Sequence, residues 1–313
     1  MEEKMRIVYM GTPDFAVEPL RRLVAGGYNI VAVVTMPDKP IGRHQDTLSQ
    51  SPVKKFAVEN GIPVLQPEKL RDPAFLNELS NYQADLQIVV AFRMLPEAVW
   101  SMPRLGTFNL HAALLPQYRG AAPINWAIIN GETETGVTTF FLDHDIDTGV
   151  VIHRKAVPIY ETDNAEDVHD RLMYLGAELV LQTVDDISSG NITPIPQSQM
   201  EVNGPLRSAP KIFRETCEII WKEHTVESAY NFVRGLSPYP AAWTTLDGKQ
   251  LKIFEATKLS DACDAAPGTF DTDGRRFLRV ACRDGWLQIH SLQLAGKRRM
   301  SVEDFLRGYN WGR

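Results

Sequence analysis

Three polar residues near the ends of apolar runs could together move a proton and stabilise an oxyanion. Asn109 and His111 stand two apart in the run 107–111, so on a β-strand their side chains share one face. Asp147 follows a later apolar run. His111 is then a candidate proton shuttle, Asn109 a candidate oxyanion donor, and Asp147 a carboxylate that sets the charge of the histidine. A lone histidine in such a place is more often structural, so these residues alone leave both interpretations open.

The segment that carries Asp147 has the spacing with which a calcium-binding loop begins, because aspartates alternate at 143, 145 and 147. Such a loop needs glycine at its sixth position and a bidentate glutamate at its twelfth. Thr148 and Arg154 occupy those positions, so a calcium loop does not fit. Asp147 is instead interpreted as a carboxylate held just before a strand, and no metal is predicted.

The first apolar run ends at Gly11, where a nucleotide-binding loop would stand in many α/β proteins. Gly11 is the only glycine of this turn, and the pattern therefore does not favour a G-x-G-x-x-G dinucleotide cradle. A tight strand-to-helix turn is the preferred interpretation. Thr12 is the predicted N-cap of the helix that follows, and Pro13 its first helical residue.

Short apolar runs alternate with amphipathic segments through the first 190 residues. Strands are predicted at 7–10, 30–35, 86–91, 107–111, 136–142 and 150–157, and a long helix at 164–187. Runs rich in Val and Ile without polar alternation are typical of parallel strands buried on both faces. The alternation predicts a doubly wound, Rossmann-like α/β domain over residues 1–189, with its ligands at the carboxyl edge of the sheet.

The composition changes near residue 190. The segment 188–207 contains Ser-Ser-Gly, three prolines and few large apolar residues, and residues 190–207 are interpreted as a linker. Five short strands are predicted after it, at 243–246, 251–256, 268–271, 278–281 and 287–294, with Asp-Gly turns between several of them. Residues 208–313 are therefore predicted to form a small, OB-like β-barrel domain.

Charge is distributed unevenly along the chain, although the net charge is only −6. Residues 1–206 carry 16 Lys+Arg and 26 Asp+Glu, whereas residues 207–313 carry 17 and 13. The difference is either chance variation between domains or a sign that the C-terminal part faces a polyanion.

Targeting signals are not evident, and we expect a cytoplasmic protein. No apolar run approaches the roughly 18 residues of a membrane helix. The charged start runs directly into a strand-like segment, which does not fit a signal peptide. Three widely spaced cysteines predict neither a disulfide framework nor a metal site, and they suit a reducing compartment.

Six segments give the chain a specific family resemblance. It resembles the folate-dependent formyltransferases, and among them the methionyl-tRNA formyltransferases, at 10–17, 37–43, 51–54, 102–123, 147–149 and 237–243. The Asn-x-His pattern with a distant Asp is shared by all folate-dependent formyltransferases and deformylases. The opening motif, the loop around Arg119 and the segment 237–243 are what favour the tRNA-specific enzymes.

The resemblance implies a formyl transfer from 10-formyltetrahydrofolate to the α-amine of methionine on initiator tRNA. It implies a catalytic domain at 1–189, a tRNA-binding domain at 208–313, a monomer, and no metal. The catalytic residues would be Asn109, His111 and Asp147. Folate would contact Ala113, Leu114, Leu115, Pro116, Phe92 and Met94, and tRNA would contact Arg43, Lys297, Arg298 and Arg299.

Three departures from the family pattern are visible. Ala113 stands where the family commonly has serine, and the segment 91–96 is shorter than usual, as in the enzyme that formylates glycinamide ribonucleotide. The loop after Arg43 is nearly neutral where well-known members are basic. Two alternatives remain, namely another folate formyltransferase or hydrolase, and a nucleotide-binding regulatory module without chemistry.

Overall fold

The structure is a computed structural model that describes residues 4–41, 47–202, 204–259 and 261–309. The chain divides into two compact units. The first comprises Met1–Gly120, Gly136–Val157 and His169–Ser208, and the second comprises Ala121–Thr135, Pro158–Val168 and Ala209–Arg313. The second unit thus takes up two segments from within the predicted domain 1–189, and the boundaries of that domain and of the linker remain a prediction.

Strands and helices alternate in the first two thirds of the chain. The strands are β1 Arg6–Gly11, β2 Asn29–Val34, β3 Lys39–Ile41, β4 Thr47–Ser49, β5 Val64–Leu65, β6 Leu86–Val90, β7 Thr107–His111, β8 Arg119–Gly120, β9 Glu134–Phe141 and β10 Val151–Pro158. The helices are α1 Val17–Ala25, α2 Pro52–Glu59, α3 Pro73–Asn81, α4 Glu97–Trp100, α5 Pro123–Ile129 and α6 Ala165–Ser189.

The last third is mostly strands. They are β11 Ser208–Ala209, β12 Ala242–Leu246, β13 Lys249–Leu259, β14 Phe270–Thr272, β15 Leu278–Ala281, β16 Trp286–Leu294 and β17 Met300–Ser301, with helices α7 Val226–Leu236 and α8 Val302–Gly308. Among the described residues, every helix is too short or too polar to span a lipid bilayer.

The main sheet has the strand order β10-β9-β7-β6-β1-β2-β5. The pairs β5-β2, β2-β1, β1-β6 and β6-β7 are parallel, and β9 runs antiparallel to β7. From β1 the chain first adds β2 and β5 on one side of the sheet, and it then returns to add β6 and β7 on the other side. The order therefore reverses between β1 and β6, and such a switch point opens a crevice at the carboxyl ends of the strands. The predicted Rossmann-like α/β domain is confirmed.

The register of this sheet sets which side chains share a face. Met10 pairs with Val89, and Val89 pairs with Asn109; residues in one such row of a parallel sheet point to the same side. Met10 and Val89 belong to the apolar cluster that includes residues of α3. The opposite face of β7 packs on α6, where a Cβ on Gly176 would come within 2.7 Å of Leu110. Asn109 and His111 therefore lie on the face away from α6.

The first residues of two helices show that a side-chain cap is present at one start and absent at another. Ser51 accepts a hydrogen bond from the amide of Lys54 at 3.1 Å and caps α2. The prediction that Thr12 caps the first helix is wrong. The chain first forms a 3₁₀ turn in which the amide of Ala16 donates to Pro13, so that Pro13 takes the cap position. The hydroxyl of Thr12 is buried and has no hydrogen-bond partner among the described residues.

The second unit contains a mainly antiparallel sheet in the order β12-β13-β16-β15-β14, with β17 paired to β16. A two-residue turn joins β12 to β13, with positive φ at Asp247 (48°) and Gly248 (73°), as a type I′ hairpin requires. The buried cluster of this unit includes Trp221, Leu251 and Phe305. The predicted small β-domain at the C-terminal end is therefore confirmed, and its antiparallel sheet has the form of a half-barrel.

Candidate functional site

His111 and Asp147 form the centre of the candidate site. Nδ1 of His111 lies 3.7 Å from Oδ2 of Asp147, and the two side chains are only 6% and 14% exposed. Nε2 of His111 lies 2.8 Å from the carbonyl oxygen of Tyr118. Because a carbonyl only accepts, this contact places a hydrogen on Nε2. Nδ1 is then the nitrogen that can take up and release a proton, and a proton there is attracted to the Asp147 carboxylate.

Asp147 is held by contacts to both its side chain and its main chain. The amide of Gly120 donates to Oδ2 at 2.9 Å. The carbonyl oxygen of Asp147 accepts from Nε2 of Gln197 at 2.8 Å, and the same Nε2 donates to the carbonyl of Gly149 at 2.9 Å. Asp147 has φ of +56°, a left-handed conformation that aspartate tolerates better than most residues. Gln197 therefore fixes the turn that presents the carboxylate.

Gln197 was not identified by sequence reasoning. Its side-chain oxygen accepts from Nε and Nη2 of Arg119 at 3.0 and 2.6 Å, so the arginine of the family-like loop is tied to it. The residue is 5% exposed. It lies in the segment interpreted as a linker, where no local pattern marks a buried glutamine.

Asn109 differs from the other residues of β7 in having a partly exposed side chain, whereas the other four are buried. Its amide forms no hydrogen bond with any residue that the structure describes. The register places it on the same face of β7 as His111. An unpaired amide two residues from the histidine is suited to donate a hydrogen bond to an oxyanion.

The predicted folate segment 113–116 is largely packed in the interior. Ala113 and Leu115 are fully buried, and Thr138 bridges their main chains, donating to the carbonyl of Ala113 at 2.6 Å and accepting from the amide of Leu115 at 3.1 Å. Arg154 donates to the carbonyl of Leu115 at 2.8 Å. Pro116 is also buried, which leaves Leu114 as the one partly exposed side chain of the four.

The segment after β6 brings Phe92 and Met94 to the same edge of the sheet as His111. Met94 is 72% exposed, whereas Phe92 packs against the core of the first unit. Arg93 donates to the carbonyls of Pro67 and Glu68. Burial lowers the pKa of Arg93, and its guanidinium lies 5.5 Å from the Phe92 ring. Met94 is therefore displayed on a loop that Arg93 anchors.

The four predicted tRNA contacts differ in their surroundings. Arg43 lies outside the described residues. Lys297 and Arg298 are exposed in the turn between β16 and β17 and form no ion pair with described residues. Arg299 is engaged, because its Nη2 lies 2.6 Å from Oε1 of Glu255 and its Nε donates to Ser291 at 2.8 Å. Lys297, Arg298 and Arg299 belong to the second unit, whereas the candidate catalytic residues belong to the first.

Two family models match the chain. The model described as formyl transferase covers residues 5–184, and the model described as formyl transferase, C-terminal domain, covers residues 211–310. The carboxylate, histidine and amide of the site all fall within the first match.

Relatives are similar over almost their whole length. A methionyl-tRNA formyltransferase of Bacteroides fragilis is 60% identical and aligns with 99% of this chain and 96% of its own. A methionyl-tRNA formyltransferase of Phocaeicola vulgatus is 62% identical and aligns with 99% of this chain and 97% of its own. A methionyl-tRNA formyltransferase of Porphyromonas gingivalis is 47% identical and aligns with 98% of this chain and 97% of its own.

Solved structures share the fold at lower identity. WlaRD, a sugar 3N-formyl transferase, superposes with a TM-score of 0.67 at 20% identity, covering 95% of this chain and 100% of its own. HypX from Aquifex aeolicus in complex with tetrahydrofolic acid gives a TM-score of 0.65 at 19% identity. That match includes 98% of this chain but only 48% of HypX, so this chain spans about half the length of HypX.

Proposed function

Since the chain belongs to the formyl transferase family, we propose that it transfers the formyl group of 10-formyltetrahydrofolate to the α-amine of methionyl initiator tRNA. The acceptor is taken from relatives that are about 60% identical over nearly the full length and carry the name methionyl-tRNA formyltransferase. The observation that carries the chemistry is the pair of a buried His111 and a half-buried Asp147, together with the Asn109 amide, which has no hydrogen-bond partner among the described residues.

In this reaction the neutral α-amine attacks the formyl carbon, and the carbonyl oxygen becomes an oxyanion. Nδ2 of Asn109 donates a hydrogen bond to that oxyanion. Nδ1 of His111 accepts the proton that the attacking nitrogen loses and returns it to N10 of the departing folate. The C–N bond to N10 breaks while the new C–N bond remains, so that no net proton is consumed.

Asp147 contributes by charge and by position. Its carboxylate, 3.7 Å from Nδ1, stabilises the doubly protonated imidazole that exists between the two proton transfers. The carbonyl of Tyr118 fixes the ring from the other side. Together the two contacts hold the imidazole in one orientation, and a preorganised site avoids the cost of reorganising dipoles during the reaction.

The donor is proposed to lie along the carboxyl edge of β6 and β7. Leu114, Met94 and Phe92 are the side chains of the folate segments that remain at least partly accessible, and Phe92 also packs against the core of the first unit. Hydrogen bonds from Thr138 and Arg154 hold the main chain of residues 113–115 in place, and this main chain forms part of the carboxyl edge. Ala113 in place of serine removes a hydroxyl at a position that is already fully buried, so its effect on folate binding is expected to be small.

The acceptor tRNA is proposed to contact Arg43 in the first unit and Lys297 and Arg298 in the second, with Arg299 contributing less because Glu255 neutralises it. Residues 1–189 act as the catalytic domain and 208–313 as the tRNA-binding domain. We further propose that the protein is a cytoplasmic monomer that requires no metal. Its three cysteines are free, which suits a reducing compartment.

A direct assay tests the transfer. The purified protein is incubated with methionyl initiator tRNA and 10-formyltetrahydrofolate, and the mass of the aminoacyl group is measured. Replacement of one amine hydrogen by a formyl group is expected. Unchanged methionyl-tRNA together with formylation of a sugar amine or release of formate to water would support the alternative, another folate formyltransferase or a formyltetrahydrofolate hydrolase.

A further inference from the structure

The second unit contains a cleft of about 630 Å³ that has no part in the proposed chemical steps. The cleft is lined by Ala121 and Ala122 just before α5, by Asn125 of α5, by residues 211–214 and Cys217, by the turn before β12, and by parts of β12 and β13. Its walls include three cations and three aromatic rings, namely Lys211, Arg214, Lys252, Phe213, Tyr239 and Trp243. Among the residues that the structure describes, no carboxylate lines it.

Among the described residues, the cations of this cleft have only neutral partners. Lys211 Nζ lies 5.4 Å from the ring of Phe213. Arg214 donates to the amide oxygen of Gln250 at 3.2 Å, and Lys252 donates to the carbonyl of Pro240 at 3.3 Å. In the part of the chain that the structure describes, none of the three forms an ion pair. Their positive charge is therefore available to an anionic ligand.

Tyr239 displays its ring at the edge of the same cleft. The residue is 82% exposed, more than any other large hydrophobic side chain among the described residues. It stands between two prolines, which restrict the backbone on either side, and it is followed by the fully buried Ala241. The indole of Trp243 is fixed by a hydrogen bond to the carbonyl of Arg214 at 2.9 Å. A rigid segment thus holds an uncovered ring beside the cations.

We propose that this cleft binds an unpaired nucleotide of the RNA substrate. The base stacks on Tyr239, and Lys211, Arg214 and Lys252 hold the adjoining phosphates. Aromatic platforms beside cations are the surface that single-stranded nucleic acids need, because an unpaired base exposes its π-face. The inference rests on the proposed function, which supplies an RNA as the acceptor.

The size and lining of the cleft distinguish this ligand from others. Its volume lies within the roughly 300–1,000 Å³ typical of small-ligand sites, so it can hold a nucleotide but not a base-paired stem. An acidic peptide or the glutamate tail of a folate would use the cations but has no aromatic base to stack on Tyr239. The combination of rings and cations therefore favours a nucleotide.

Affinity for initiator tRNA, measured at several salt concentrations, tests the cleft. Tyr239→Ala is expected to weaken binding roughly 5- to 150-fold, the range for loss of one base–aromatic stack, whereas Tyr239→Phe keeps the ring and should bind normally. Lys211→Ala/Arg214→Ala should flatten the salt dependence by about 0.7 log units for each phosphate that is no longer neutralised. Tyr174→Ala, at a 49% exposed tyrosine of α6, is the matched control.

Formyl transfer by the unmodified protein is measured alongside, so that the two proposals fail separately. If the unmodified protein does not formylate methionyl-tRNA, the proposed function fails. If it does, while Tyr239→Ala and the double variant bind tRNA with unchanged affinity and salt dependence, the cleft proposal is overturned. It is also overturned if Tyr239→Ala weakens binding of a polyglutamylated folate and leaves tRNA binding intact.

Discussion

Gln197 donates one side-chain hydrogen bond to the main-chain carbonyl of Asp147, 50 residues away in the chain, over 2.8 Å. A second bond from the same nitrogen reaches Gly149, so the glutamine spans the turn on which the carboxylate stands. The position of Asp147 relative to His111 therefore depends on a residue that touches neither reacting group.

Removing that support should slow the reaction without abolishing it. Gln197→Leu is expected to lower kcat by roughly 10²-fold, because small misplacements of a catalytic group are costly, and to leave the donor KM nearly unchanged. Gln199→Leu, at an exposed glutamine of the 3₁₀ turn Gln197–Gln199 that also contains Gln197, is the matched control. A positioning role also predicts a shifted pH–rate profile in Gln197→Leu; a profile and kcat like those of the control would refute it.

Asn109 should matter for rate and not for stability. Its side chain has no hydrogen bond to lose among the residues described, so Asn109→Ala is expected to unfold at a temperature close to that of the unmodified protein. The single-turnover rate should fall by about 10²–10³, the usual cost of one oxyanion donor. Asn81→Ala, at an exposed residue of α3, should change neither quantity. An unaltered rate in Asn109→Ala would remove the amide from the mechanism.

Leu114 and Leu115 offer a paired test of the folate edge. Leu115 is fully buried against Phe140 and Val151, so Leu115→Ala should cost about 2–5 kcal/mol of stability. Leu114 is partly exposed, and Leu114→Ala should instead raise the KM for 10-formyltetrahydrofolate. Thermal unfolding and donor kinetics separate the two effects. A normal donor KM in a folded Leu114→Ala protein would move the donor away from this edge.

In the basic turn between β16 and β17, Lys297 and Arg298, which form no ion pair with described residues, should contribute more to tRNA binding than Arg299, which is paired with Glu255. Lys297→Ala/Arg298→Ala is expected to reduce the slope of tRNA affinity against salt by about 0.7–0.9 log units for each phosphate that the variant no longer neutralises. Arg299→Ala should change the slope less, since Glu255 already neutralises that arginine. Donor binding is the internal control. Equal slopes for Lys297→Ala/Arg298→Ala and the unmodified protein would place the phosphate contacts elsewhere.

Local patterns predicted the elements that carry the site. The run 107–111 coincides with β7, and the long helix predicted at 164–187 is α6, Ala165–Ser189. In β7 polar and apolar residues alternate, and in α6 apolar residues recur at helical spacing. Both patterns depend only on near neighbours in the chain. Strand geometry alone predicted that the side chains of Asn109 and His111 lie on the same face of β7.

Features set by distant parts of the chain could not be predicted in this way. Gln197 lies in a segment whose composition indicates a linker, and its partners depend on the folded turn at Asp147. The burial of Leu115 follows from its packing on strands β9 and β10. The neutralisation of Arg299 depends on a residue of β13, which the register of the second sheet brings near.

The most direct test of the central claim is single-turnover formylation of methionyl initiator tRNA by the unmodified protein, His111→Ala, Asp147→Asn and the double variant, each shown to be folded by circular dichroism. The unmodified protein should transfer the formyl group. Each single variant should be slower by about 10²–10³, and the double variant should lose much less than the product of the two, because the pair acts as a unit. A near-normal rate in either folded single variant would contradict the assignment of His111 and Asp147 to the chemistry.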